Sequence, residues 1–457
     1  MRLPRSTTAA FLAIAVAVPA LTPAIAAAPS IDQGGATATE PARIGAVVET
    51  DVVSVYQTGP ITASVRDATL AAAAAAGAQA SIGRGFTAPM WQLRRGATSI
   101  QMASAVGYAF PMAVTALPVE TIRAVMGREV AAPVAQGQVV MGATTAALRG
   151  AQVGDVIDIG MRGGVTISFT IGRIGSEEEV GGTEIVMSLE QAALLGGIID
   201  TRVVIFGFFD RAVLDGQLAA YGLSSNSKVR IRRSWDAPDP DNTLGMAATK
   251  TILGEFDMNY AGVSTYGWTA VGAAWRNAYL PASRETFPTG IRAYCNVQVR
   301  ADLAAALQEV ATTYPSLVAA SANQYFTGID VANTNNAGGC AVPGQARLSR
   351  ITQALGSVSR HSWGQPLDTS TVANCQGCTP KMDCRIVRIF RKHGFAWGGN
   401  FLTPDGMHFE WVGEPRNTLQ YPSKYCANLP GGALADTGEP PPDSRSIMFA
   451  DDGLTAE

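Results

Sequence analysis

The sequence predicts an α+β protein, with an N-terminal mixed α+β module followed by a C-terminal α+β domain built on a small antiparallel sheet. Three observations predict it. Up to about residue 235, short β-branched runs alternate with short helical patterns, the mark of an α+β module rather than a bundle or a sandwich. The stretch "DAPDPDNTLG" at 236–245 then interrupts the pattern with aspartates and prolines. Beyond it lie all six cysteines and all three histidines of the chain, so the two parts differ in chemistry as well as in pattern.

In chain order, "MRLPR" is a basic head, "AAFLAIAVAVPAL" an apolar run and "TPAIAAAPS" a small-residue stretch with an A-x-A pattern. This is the three-part plan of a secretory signal peptide over residues 1–28, with a cut near Ala26–Ala28. The apolar run is short for a membrane span. The expectation is an exported, extracytoplasmic protein with no stable membrane insertion after cleavage. Residues 29–43 are small and polar and read as a leader.

The accessory module is expected over 44–235. "IGAVVETDVVSVY" alternates like a strand, and "ATTAALRG" is a short helix closed by glycine. "DVIDIG" and "VTISFTIGRI" form a hairpin about "MRGG". "EIVMS" is a strand, "LEQAALLGGI" a short helix and "RVVIFGFF" a buried strand. "DRAVLDGQLAAYG" is a helix closed by Gly222, and "SKVRIRRSW" a last strand. Residues 236–262 read as a linker. The second domain is expected over 263–429, with an amphipathic helix at 297–314 that aligns Leu303, Leu307 and Val310. The tail 430–457 is acidic and proline-rich and reads as disordered.

Composition excludes some partners. With 34 basic and 37 acidic residues, nothing favours nucleic acid or a polybasic membrane contact. Export makes disulfides the default state of Cys295, Cys340, Cys375, Cys378, Cys384 and Cys426. Six cysteines allow fifteen pairings, and the sequence does not choose among them. "NCQGCTPKMDC" carries a second reading, a zinc knuckle.

The N-terminal module holds no histidine, no cysteine and no phosphate-binding loop. Its "LRGAQVGDVIDIG…ISFTIGRIG…EIVMSLEQAALLG" resembles the extracytoplasmic core domain of MacB/FtsX-type permeases over about residues 45–235. The chemistry lies further on. "SRHSWGQPLD" places His361 and Asp368 with six residues between them, across a glycine turn and an extended run. "PDGMHFEW" places Asp405 three residues before His408. Two histidines and a carboxylate suffice as zinc ligands. Zinc lowers the pKa of a water from about 15.7 to roughly 7. The remaining carboxylate can then serve as base. Singly, either histidine reads as an ordinary surface or core residue; the spaced pairs point to metal.

These residues resemble the M15 zinc peptidases, the D-alanyl-D-alanine carboxypeptidase (VanY-like) group, over about residues 285–425. The pattern S-x-H-x(6)-D falls on Ser359, His361 and Asp368, and D-x-x-H on Asp405 and His408. "RIFRKHGFAWGGNF" resembles the helix and H-G-x-x-W-G-G turn that precede the second motif. The resemblance implies Zn2+ held by His361, Asp368 and His408, with Asp405 as base. It implies an upstream arginine on the scissile carbonyl, with Arg350 and Arg347 as candidates. It implies peptidoglycan stem peptides as substrate, cut next to D-amino acids. Pro366 stands where the group commonly has a small residue, and it predicts an edge strand. His393 reads as part of a helix C-terminus closed by Gly394. Glu410 reads either as support for a ligand or as solvent-facing. Trp363 reads as packing, and Trp397 as packing or as a wall of the cleft. The alternatives to a peptidase are a non-catalytic wall-binding protein and an envelope scaffold led by the N-terminal module.

Overall fold

A computed structural model describes residues 50–57, 60–160, 165–196, 199–224, 229–318, 325–326, 340–342, 344–348, 358–371, 373–401, 403–418, 423–428 and 444–450. The expected signal segment and leader lie outside them. Among the described residues, no helix is long and apolar enough to cross a membrane.

The strand expected in "IGAVVETDVVSVY" is β1 (Asp51–Tyr56), buried at every position but its first. It lies between β9 (Arg202–Gly207) and β10 (Arg230–Arg233), antiparallel to both. The expected hairpin is β6 (Val156–Gly160) against β7 (Thr166–Gly175), in register from Val156↔Thr170 to Gly160↔Thr166. Its turn, "MRGG", lies outside the described residues. The helix Ala143–Arg149 ends at Gly150 with a positive φ of 65°. The helix Arg211–Ala220 starts on the Asp210 side chain, which accepts from Val213 N–H.

The remaining strands are β2 (Gln79–Arg95), β3 (Thr98–Met102), β4 (Tyr108–Leu117), β5 (Val139–Gly142) and β8 (Ile185–Ser188). The long β2 organises them, because it pairs with β9, β3, β4 and β6 along its length. The pairings β2–β6–β7–β5–β8–β4 return to β2, so this part of the sheet closes on itself. Alternating residues from each strand, among them Met90, Met112, Ile157, Ile171 and Met187, fill the interior.

The expected linker is a packed seam. In 236–262, Asp239 and Asp241 are buried, and the helix Met246–Leu253 buries Met246, Ala247, Thr249, Lys250 and Leu253. The strand β11 (Met258–Asn259) adds to β4. Lys250 enters the sheet, meets Glu184 at 2.8 Å and donates to the Pro111 carbonyl. Arg149 pairs with Glu255 beside them. Burial opposes ionisation of Glu184, but the adjacent Lys250 and Arg149 outweigh it and hold its carboxyl below the ordinary value. Asp241 is neutralised by Arg391 at 2.6 Å, from the far part of the chain. Acidic residues that look solvent-seeking in sequence thus have cationic partners up to 150 residues away. From Thr50 to Ala450 the described residues form one compact unit, not two modules on a tether.

The expected disordered tail also departs from its reading. Within it, residues 444–450 pack on the N-terminal module, with Ile447, Met448 and Phe449 buried. Phe449 N–H bonds the Gly181 carbonyl at 2.8 Å, and the buried Arg232 donates to the Ile447 carbonyl. Three apolar residues in sequence outweigh the acidic composition around them.

In the C-terminal part, the helix Arg300–Thr313 realises the pattern expected at 297–314 and buries Leu303, Ala306, Leu307 and Val310. The helix Cys384–Lys392 packs beside it and ends at His393 and at Gly394, whose φ is 78°. The His393 imidazole also meets Glu309 of the first helix at 2.7 Å. Three short antiparallel strands follow the order Pro366–Asp368, His408–Trp411, Phe395–Trp397. Pro366 is on an edge strand, where its missing N–H costs no ladder bond. All six cysteines are paired, Cys295–Cys340, Cys375–Cys378 and Cys384–Cys426, which removes the zinc-knuckle reading.

Candidate metal centre

Ladder register brings the two sequence motifs together. Asp368 is the direct cross-strand partner of His408, and Pro366 of Glu410. Partners in register project to the same face of a sheet, so Asp368, His408 and Glu410 share one face. His361 reaches them from a single 3-10 turn, Arg360–Trp363, that precedes the edge strand. Ser359 caps that turn by accepting from His361 N–H, and Gly364 closes it at a φ of 65°. A Cβ on Gly364 would stand 2.9 Å from Asn296 N, so glycine is needed there.

His361, Asp368 and His408 are each buried, and one potential ligand atom from each lies within 4.8 Å of the others. Asp368 sits between the rings: Oδ2 is 3.2 Å from His361 Nε2, and Oδ1 is 3.1 Å from His408 Nδ1. Each imidazole has its other nitrogen engaged outside the trio. His361 Nδ1 is 3.0 Å from the Cys340 carbonyl, which can only accept, so this nitrogen donates. His408 Nε2 is 3.2 Å from Glu410 Oε2, a carboxylate. With the outer nitrogens as donors, the nitrogens that face Asp368 are the ones that would give up a proton to a metal, as metal-bound histidines require. Burial opposes the Asp368 charge, but His361 and His408 outweigh it and hold the carboxyl well below its ordinary range. Burial likewise opposes a proton on His408, while Asp368, Glu410 and Asp405 together raise its affinity for one. This donor set, two nitrogens and one carboxylate with outer partners in place, fits a divalent zinc ion.

Asp405 is buried and close by. Its N–H bonds the Gly398 carbonyl at 2.8 Å, and its own carbonyl accepts from His408 N–H at 3.1 Å. The "WGG" turn allows this approach. A Cβ on Gly398 would lie 2.6 Å from the Asp405 carbonyl oxygen and 3.0 Å from His408 Cβ. Trp397 and Trp363 are both packed in the core, with indole N–H bonds to the Gly406 and Gly254 carbonyls at 3.0 Å each.

Of the two arginine candidates, Arg350 lies outside the described residues. Arg347 ends the strand Gln345–Arg347, beside the first motif: its carbonyl accepts from Ser359 N–H at 2.8 Å, and its guanidinium lies over Trp268. Glu410 is fully buried, so its solvent-facing alternative falls away. Arg360 is an addition. It is buried, its Nε is 3.7 Å from Glu410 Oε1, and its other nitrogens reach Thr249 Oγ1 and the Leu244 carbonyl. The chain thus runs Arg360, Glu410, His408. The only local sign of it was a cation next to a motif histidine.

No curated protein matches the chain. Residues 352–411 match the family model of D-alanyl-D-alanine carboxypeptidase. The match does not reach the N-terminal module, so the permease-like resemblance of residues 45–235 gains no support from it. The matched segment contains both histidines and both aspartates of the candidate centre.

Proposed function

We propose that the protein is an exported zinc peptidase that hydrolyses peptidoglycan stem peptides next to D-amino acids. The observation that carries this reading is the placement of Asp368 between His361 and His408, with Asp405 buried three residues before His408, inside the segment that matches the carboxypeptidase family. Export rests on the three-part leader at residues 1–28.

In this reading His361 Nε2, one Asp368 oxygen and His408 Nδ1 hold the ion. Zinc, when bound, supplies a Lewis acid for the scissile carbonyl and makes a water easier to deprotonate. The protein supplies the rest. The Cys340 carbonyl and Glu410 fix the two ring orientations, and Arg360 holds Glu410. The Asp405 carboxylate takes a proton from the attacking water and returns it to the leaving amine. Arg350 or Arg347 steadies the carbonyl oxygen as charge develops on it. Burial of the ligands keeps the dielectric low, which strengthens each of these interactions.

The test is incubation of purified, zinc-loaded protein with a muramyl pentapeptide ending in D-alanyl-D-alanine, with product masses read by mass spectrometry. Loss of a D-alanine, or a cut beside another D-residue, supports the reading. No cleavage of any stem peptide by fully zinc-loaded protein contradicts it.

A further inference from the structure

A short disulfide loop grips the turn that carries Asp405. Cys375 and Cys378 are bonded across two intervening residues. Gln376, between them, forms a β-bridge with Asp405. Gly377 N–H donates to the Pro404 carbonyl at 2.7 Å, immediately before Asp405. Immediately after it, Gly406 lies so close to the loop that a Cβ there would meet Asn374 Oδ1 at 2.8 Å and Pro380 Cβ at 3.0 Å. Asn374 is fully buried and ties the loop's two ends, accepting from Lys381 N–H at 2.6 Å and donating to Ser370 Oγ at 2.9 Å. Residues 374–380 therefore hold 404–406 from one side, while the Gly398 carbonyl holds Asp405 N–H from the other.

We infer that the Cys375–Cys378 disulfide is a positioning element for Asp405, and that its reduction lowers turnover without releasing metal. The inference rests on the proposed role of Asp405. The metal ligands are set by other parts: Asp368 and His408 by their ladder, and His361 by the Cys340 carbonyl, whose disulfide to Cys295 is fully buried. Cys375, by contrast, is exposed. A dithiol can reach it: the S–S bond takes two electrons and two protons from the dithiol, leaving two cysteine thiols and the dithiol as its own disulfide. The loop then keeps its hydrogen bonds but loses its covalent closure, and the Asp405 carboxylate gains freedom. Displacement of a reacting group by about 1 Å costs on the order of 10²-fold.

The experiment uses the full chain with zinc bound. A mild dithiol is titrated in, the new thiols are mapped, and kcat, KM and zinc content are measured for stem-peptide hydrolysis. With only Cys375 and Cys378 reduced, kcat should fall by about 10- to 100-fold, with KM and zinc unchanged, and should recover on reoxidation. A Cys375→Ser/Cys378→Ser variant should match the reduced protein and ignore the dithiol. Should that variant not fold, the reduction series on the parent chain still decides. An unchanged kcat after selective reduction overturns the inference, as does zinc lost in step with activity. Asp405→Asn separates the two levels. If it is inactive while the reduced parent keeps full kcat, only the clamp is wrong; if it is as active as the parent, the role of Asp405 itself is wrong.

Discussion

Asp368 and His408 face each other across the antiparallel ladder, with Oδ1 3.1 Å from Nδ1, and the second Asp368 oxygen lies 3.2 Å from His361. One carboxylate thus joins two motifs that are 40 residues apart in sequence. Asp368→Ala should leave the protein with little zinc after dialysis, and His361→Ala and His408→Ala should do the same. Metal analysis of the folded variants checks this; full zinc in any two of them contradicts the ligand set.

In the proposed site Glu410 would act on a bound metal through His408, whose Nε2 it meets at 3.2 Å. Glu410→Ala should keep the fold's three-stranded ladder and weaken zinc binding by about 10- to 100-fold, the usual worth of a ligand's outer partner. Competition with a chromogenic chelator measures it. Glu410→Gln should recover part of the loss, because an amide oxygen can still accept from Nε2–H.

The seam formed by Lys250, Glu184 and Arg149 is ionic and buried. Lys250→Met leaves Glu184 with one cation fewer in a site without solvent, and should cost about 3–5 kcal/mol in urea unfolding. Adding Glu184→Gln should recover much of that. A chain cut to begin near residue 263 should fail to fold for the same reason, since it loses Asp241 as well as the Met246–Leu253 helix.

Asp239 gives stability a pH dependence. Burial first, and then the Asp241 charge, push its carboxyl up to about 6, against about 3.9 in an unfolded chain. The folded state binds this proton more tightly. Its contribution is therefore complete below about pH 4 and is lost as pH rises through about 6. Asp239→Asn should raise the urea midpoint near pH 8 and give no gain near pH 3. An equal gain at both would show that the carboxyl does not titrate in this way.

The motif pairs were legible because their spacing is local: a turn plus three strand residues delivers Asp368, and a tight turn delivers His408 three residues after Asp405. Secondary structure was legible where a run was β-branched or glycine-closed, as in β1, β6, β7 and the helix at 300–313. Residues 236–262 look exposed in sequence because charge and proline mimic solvent exposure, and Arg391, the partner of Asp241, stands far along the chain. The packing of 444–450 is hidden in sequence because three apolar residues at 447–449 sit inside an acidic surround. The role of Arg360 is not legible locally, because its partner Glu410 belongs to the other motif and no spacing rule links them.

If Asp405 is the proton carrier of an active peptidase, Asp405→Asn should separate metal binding from turnover. The substitution keeps shape and removes the acceptor. Zinc content and stem-peptide hydrolysis are measured on the same preparation, beside the parent. The expected result is zinc near one per chain with turnover reduced by about 10²- to 10⁴-fold. Turnover equal to the parent's, at equal zinc, would contradict it.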